Sequence, residues 1–342
     1  MNVKQSALAA AITAALAMGA AGQATASVYA RSILEISDLS LNISPFANAT
    51  INSFTFDSTN TAFLNGAGVT KNDGCSGKPG IPGSGTNNCG AFGDPARGAN
   101  VLDAKVANAP GSTVLQGENT FTIHGPGSSQ YSNADAVVYT AELASGIPTH
   151  TKNMAESELQ TGTKASANSV IDSITSFTFK FSTTAAGTIQ VTFKAIQDML
   201  ASITAPDPVP GGTANAGATM SATLKISNDA NAADFVLFNP SGDTTTDCAA
   251  VGSFACVTDA TQRDKFSLNT NVGVTSAGSS ASSNADAFLR SFTTTGAGSY
   301  TLTFSEKKST LLSRTVPEPG MLALMGIGLM GLVAAGRRRK LV

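Results

Sequence analysis

Between its two ends the chain alternates apolar and polar residues with a period of two. Phe177, Phe179 and Phe181 alternate with Thr178, Lys180 and Ser182, and Ile189, Val191 and Phe193 with Gln190, Thr192 and Lys194. Such a pattern turns one side of each run toward a core and the other toward water, and it predicts antiparallel strands. The connection from Ser182 to Gly187 has a length that favours a hairpin between them. The unit recurs: Phe181-STTAAGTIQVT-Phe193 and Phe292-TTTGAGSYTLT-Phe304 share terminal phenylalanines, a glycine at the same offset (Gly187, Gly298) and the alternation after it. Ser132-Asn-Ala-Asp-Ala136 is echoed by Ser283-Asn-Ala-Asp-Ala287, but the two echoes differ in separation. They do not establish an in-register duplication, and convergent strand composition explains them equally well.

Further strands are expected at 33–36, 39–43, 51–56, 121–123, 136–139, 219–226, 234–238 and 266–268, with short helices at 154–159 and 195–200. Many short strands separated by Gly, Asn, Asp, Ser and Pro clusters predict an all-β antiparallel sandwich with long loops, jelly-roll topology being one arrangement. The region 27–315 is either one large domain or two smaller ones. The Pro-rich stretch 205–217 serves as an interdomain linker in the second case and as a long loop in the first.

The ends follow other patterns. Lys4, the small-residue run Ala7 to Ala21, and Ala24-Thr25-Ala26 form the three parts of a secretory signal peptide, residues 1–26, with cleavage expected after Ala26 and export through the Sec pathway. At the other end Pro317-Glu318-Pro319 precedes an uncharged stretch, 320–336, which as a helix of roughly 25 Å lies at the low end for crossing a bilayer. The basic tail 337–340, with Arg337, Arg338 and Arg339, should stay cytoplasmic and leave residues 27–316 outside the inner membrane. An ordinary C-terminal anchor would show the same helix and cations.

The order Pro-Glu-Pro, short apolar helix and Arg cluster resembles the PEP-CTERM sorting domain of Gram-negative bacteria. It covers residues 316–342. The resemblance implies recognition by exosortase, a membrane cysteine protease-like enzyme, through Pro317, Glu318 and Pro319. It also implies a cut nearby, a tethered inner-membrane intermediate, and passage to the cell surface or extracellular matrix. The Phe-Thr-Phe strands and Ser-Asn-Ala-Asp-Ala segments of the body are also similar to exosortase-dependent surface proteins.

Composition narrows the functional classes. Charged residues are 13% against about 25% in ordinary soluble domains, while Ser and Thr number 37 and 40. Without Lys4, the C-terminal cations and Glu318, sixteen cations face twenty-two acids, a net charge of −6. No basic block remains to bind nucleic acid. Cys75 and Cys89 bracket a glycine-rich loop, and Cys248 and Cys256 a shorter one; in an exported protein this reads as two local disulfides, since neither pair is C-x-x-C and no histidine lies near.

Asp73, Asp94, Asp229, Asp243, Asp247 and Asp259 recur in loops. They suit either turn formation or calcium held by oxygen ligands, although the EF-hand spacing is absent. For an enzyme, His124 and His150 are the only histidines, no nucleophile motif occurs, and no carboxylate pair can be nominated from spacing, so no catalytic residue is assigned. The expectation is a non-enzymatic exported protein with a structural or interaction role in exopolysaccharide or biofilm, requiring no cofactor. A carbohydrate- or calcium-binding module is the first alternative, and a surface hydrolase the second.

Overall fold

The computed structural model describes residues 27–44, 50–77, 100–107, 121–127, 130–138, 150–160, 165–204 and 213–315. These form two antiparallel sheets packed face to face. The first contains β1 (Ser27–Ser44), β4 (Asn100–Ala107), β5 (Tyr131–Val138), β6 (His150–Gln160), β8 (Gly187–Ile203), β12 (Phe254–Cys256) and β14 (Gly278–Thr294), in the order β12-β14-β8-β1-β6-β5-β4. The second contains β2 (Thr50–Leu64), β3 (Ala67–Gly77), β7 (Ala165–Thr183), β9 (Thr213–Asn228), β10 (Asn231–Phe238), β11 (Cys248–Val251) and β15 (Gly298–Thr315), in the order β11-β10-β9-β15-β7-β2-β3. The remaining strand, β13 (Thr270–Val274), also pairs with β9. Strands from both sides of residues 205–212 are hydrogen-bonded into both sheets.

The repeated Phe-to-Phe unit is not a hairpin. β7 and β8 lie in opposite sheets, as do β14 and β15, so each three-residue connection, 184–186 and 295–297, carries the chain across the sandwich. Alternation cannot distinguish these cases, because an arch and a hairpin both need one apolar face per strand. The two crossings then lie side by side. Gly187 pairs with Thr294 and Ile189 with Phe292 in the first sheet, while Thr183 pairs with Gly298 and Phe181 with Tyr300 in the second. Residues at equivalent places in the two units therefore exchange roles, as in a local two-fold. Rings follow that register: Phe181 stacks on Tyr300 at 5.6 Å, Phe193 on Phe288 at 4.8 Å, and Phe304 meets Phe193 edge-on across the sheets at 5.3 Å.

Both expected helices are strands. Residues 154–159 lie in β6, paired with β1 on one side and β5 on the other; Ala155, Ser157 and Leu159 face the second sheet while Met154, Glu156 and Glu158 are buried on the outer side. Residues 195–200 continue β8 between β1 and β14, with Ala195, Gln197 and Met199 buried and Ile196 exposed. Ladder bonding on both sides overrides the helix preference of Met, Ala, Glu and Leu. Two expected strands are absent: 121–123 is irregular chain over the first sheet, and 266–268 contributes only the bridge Ser241–Ser267.

Tight two-residue hairpins join β2 to β3 and β9 to β10. Asn65 and Gly66, at φ 52° and 86°, form the first, with the geometry of a two-residue type I′ turn. The pentapeptide echo has no structural counterpart, since Ser132–Ala136 is wholly buried whereas Ser283, Asn284 and Ala285 are exposed.

Cys248 and Cys256 are joined, with Cα atoms 6.2 Å apart. Cys248 pairs with Phe238 in the second sheet and Cys256 with Phe292 in the first, so the bond staples the two sheets at one edge. The expected Cys75–Cys89 bridge lies outside the description, because Cys89 is beyond the described residues. Replacing Cys248 and Cys256 by serine should lower unfolding free energy by about 2.5 kcal/mol from loop entropy over a separation of 8 residues. Denaturant titration checks this, and an unchanged midpoint would mean that the edge is held without the staple.

Candidate functional site

The outward positions of β9 and β15 form a face mainly of hydroxyl and amide groups, with Leu311 exposed opposite Gly217. Strict alternation sends Ala214, Ala216, Ala218, Met220, Ala222 and Leu224 inward, and sends Thr213, Asn215, Thr219 and Thr223 out. The partner strand matches them residue for residue. Thr213 and Thr315 bond at 2.7 Å, Asn215 donates to Ser313 at 3.2 Å, and Thr219 and Ser309 bond at 2.6 Å, all as direct cross-strand pairs. Ser182 and Ser299 extend the pattern toward β7 at 3.3 Å. Lys225 and Lys307 are the charged residues at outward positions of these two paired strands, and no acid joins them there. Because each hydroxyl both donates and accepts, rows about 4.8 Å apart form a lattice able to bond a polyhydroxylated surface.

The acids concentrate elsewhere, on the outer side of the first sheet beneath residues 121–127. Glu156 accepts from the Tyr29 hydroxyl at 2.6 Å, the His124 amide at 3.0 Å and the Gly125 amide at 2.9 Å. Glu158 accepts from the Gly127 amide and the Ser27 hydroxyl, both at 2.6 Å. Gly125 and Gly127 have φ of 74° and 96°, a region other residues rarely enter, and this directs their N–H groups at the carboxylates. The carboxylates thus tie the strap down onto β6. Burial, with Glu156 adjacent, pushes the Tyr29 and Tyr131 phenols well above their ordinary range. Beside them Lys105 pairs with Asp103 at 2.8 Å, and burial followed by the Asp103 charge raises Asp135.

The two histidines are not brought together. His124 sits in the strap with its ring edge-on to Tyr131 at 5.2 Å, while His150, at the start of β6, bonds Glu35 at 2.9 Å. The loop aspartates separate by role. Asp243 accepts from the Thr245 amide at 2.9 Å and Asp259 from the Thr261 amide at 2.9 Å, both as turn formers, and Asp229 accepts from the Thr301 hydroxyl at 2.5 Å. Asp94 lies outside the described residues, and among those described no group of three or more His, Cys, Asp or Glu side chains gathers to hold a metal ion.

Asp247 instead enters the sandwich. Its carboxylate meets Arg290 at 2.9 Å, with both side chains buried; Arg290 also donates to the Thr244 carbonyl at 3.0 Å and stacks over Phe238. Asp264 lies alongside and accepts the Ser241 and Gly242 amides at 2.9 and 3.0 Å. Sequence reasoning missed Arg290 and the acids of β5 and β6. Their one visible signal is a charged residue within an alternating strand.

The fold and its faces define a disulfide-stapled β-sandwich with a hydroxyl-rich surface. Comparison with known families adds its destination: residues 315–340 match the PEP-CTERM protein-sorting motif. The chain therefore carries at its C-terminus the mark of an exosortase substrate, which implies export, membrane-associated sorting and processing by exosortase. No curated protein and no solved structure matches the chain. The motif begins where β15 ends, at Thr315; Pro317, Glu318, Pro319, Arg337, Arg338 and Arg339, like Ala24 and Ala26, lie outside the described residues. Among the described residues no helix is long and apolar enough to cross a membrane, and the expected span 320–336 is not among them.

Burial pushes the Asp247 carboxyl up to about 7, against the pull of Arg290 and with Asp264 adding to the rise. The folded chain thus keeps a proton that an unfolded aspartate releases near about pH 4, so this contribution to stability is full below that pH and disappears as pH climbs through about 7. Asp247→Asn fixes the uncharged form. Between pH 4 and 8 the wild-type melting temperature should fall relative to that of the variant. A wild-type curve that rises relative to the variant would mean that the Arg290 ion pair outweighs burial.

Proposed function

We propose that residues 27–315 act as a non-enzymatic structural or adhesive protein of the cell surface or exopolysaccharide matrix of a Gram-negative bacterium. In this reading the chain is exported through the Sec pathway and held briefly in the inner membrane by residues 320–336, and exosortase then detaches it near Pro317. The observation that carries the reading is the hydroxyl lattice of β9 and β15 on a chain marked for exosortase. A face with few charges binds hydrated polysaccharide through many weak hydrogen bonds. Exposed cross-strand hydroxyls are already held at fixed spacing, so little side-chain entropy is lost on contact. The non-enzymatic part is supported by the engagement of the acids: Glu156 and Glu158 hold the strap, Glu35 holds His150, and Asp247 meets Arg290.

The test is recovery of the protein from native cells with separation of membrane, matrix and medium. The mature C-terminal peptide is expected near Pro317, and the protein is expected to co-sediment with isolated exopolysaccharide. Thr219→Ala combined with Ser309→Ala should weaken that retention several-fold while leaving the melting temperature within a few degrees, as for surface substitutions of about 0.5 kcal/mol each. A wild-type protein that keeps residues 320–342, or one that never associates with the polysaccharide, would sink the reading.

A further inference from the structure

One polar cluster lies between the sheets, away from both faces described above. Glu306 and Lys308 are two residues apart on β15 and both point into the sandwich; Asn153 points toward them from β6 of the other sheet. The three are sealed from solvent, with exposures of 0% for Asn153, 1% for Glu306 and 0% for Lys308. Asn153 Nδ2 donates to Glu306 Oε2 at 3.0 Å, and Lys308 Nζ pairs with that same oxygen. One carboxylate oxygen thus gathers a primary amine and a carboxamide that belong to different sheets. Asn153 Oδ1 and Glu306 Oε1 have no hydrogen-bond partner. Met220 lies beside Lys308 in register and Leu34 beside Asn153, while Ser157 and Thr310 bond each other at 2.8 Å one layer further along.

An ion pair buried this deeply gains by moving its proton from amine to carboxylate, which leaves two neutral groups. Burial lowers the Lys308 amine in the same direction, against the opposing pull of Glu306. A neutral amine next to an amide and a carboxylic acid has the parts for acyl transfer.

We propose that Lys308 and Asn153 become joined by an intramolecular isopeptide bond, with Glu306 as the group that moves the protons. Lys308 Nζ, neutral once its proton has passed to Glu306, attacks Asn153 Cγ to form the new C–N bond, while Glu306 Oε2 lies against both nitrogens. Glu306 then takes a proton from Nζ and delivers one to Nδ2. The Cγ–Nδ2 bond breaks and ammonia leaves. Amine and carboxamide become secondary amide and ammonia, so nothing is oxidised and no co-reactant is consumed. The product fastens β6 to β15, that is, one sheet to the other, at a place the Cys248–Cys256 staple does not reach.

The test is peptide mapping of the mature protein made from the full chain. Trypsin does not cut after an acylated lysine, so a branched species joining residues 153–164 to residues 308–314 is expected, lighter than the two peptides together by one ammonia, about 17 Da. Glu306→Gln should return both peptides to linear form and lower the melting temperature by on the order of 10 °C. Linear peptides from the wild type, cleaved after Lys308, would show an ordinary buried ion pair and overturn the proposal. A branched peptide that persists in Glu306→Gln would overturn the role given to Glu306. Neither result bears on sorting or polysaccharide contact, which are read from other peptides and fractions.

Discussion

The sandwich depends on two chain crossings that lie against each other. β7 to β8 passes from the second sheet to the first, β14 to β15 passes back, and the four strands pair β8 with β14 and β7 with β15. Each crossing alone would join two strands that share no hydrogen bonds. Stacked, every backbone group beside one crossing is matched by the other, and the phenylalanines that flank both connections share one core. β1, β6, β9 and the outer strands then add to edges this unit already presents. Four large rings, Phe181, Phe193, Phe288 and Phe304, lie in it and are each buried, which at about 2 kcal/mol per side chain makes the unit a principal source of stability.

Charge is distributed opposite to the usual surface arrangement. Arg290 with Asp247, Lys308 with Glu306 and Lys105 with Asp103 are buried pairs, while the outward faces of β9 and β15 carry mainly hydroxyls. Buried pairs contribute little net stability compared with apolar residues of the same size, but removing one partner is costly, so they favour a single arrangement of the strands that hold them. The first pair ties β14 to the loop before β11; the other two lie within β15 and β4, and reach the neighbouring strands through Asn153 of β6 and Asp135 of β5. The strap 121–127 follows the same logic, since its amides meet the carboxylates of β6.

A fold stapled at one edge by Cys248–Cys256, with a hydrogen-bonding lattice outside, suits the residence in a hydrated matrix proposed above. The first strand starts at Ser27, directly after Ala26, and the last ends at Thr315, where the sorting motif begins. The folded body and the sorting motif therefore share the chain with an overlap of one residue.

Much of this was legible from local pattern. The period of two marked β7, β8, β9 and β15; the Cys248 and Cys256 spacing marked their bond; and Pro317-Glu318-Pro319 with the arginines marked the sorting motif. Asn65-Gly66 also carries the local signal of its hairpin. Other features depended on partners distant in the chain. Residues 154–159 and 195–200 have a helix-forming composition and become strands only because β1, β5 and β14 complete their ladders. The crossings at 184–186 and 295–297 read as hairpins until the sheets are known, because alternation states that a strand has two faces and not which strand lies beside it. The sequence by itself determined the strand period, the local staple and the C-terminal sorting motif, since each arises within a few neighbouring residues. Only the tertiary structure decided which strands pair, which acids are buried and what Lys308 meets, since pairing and burial are set by contacts between residues tens to more than a hundred positions apart.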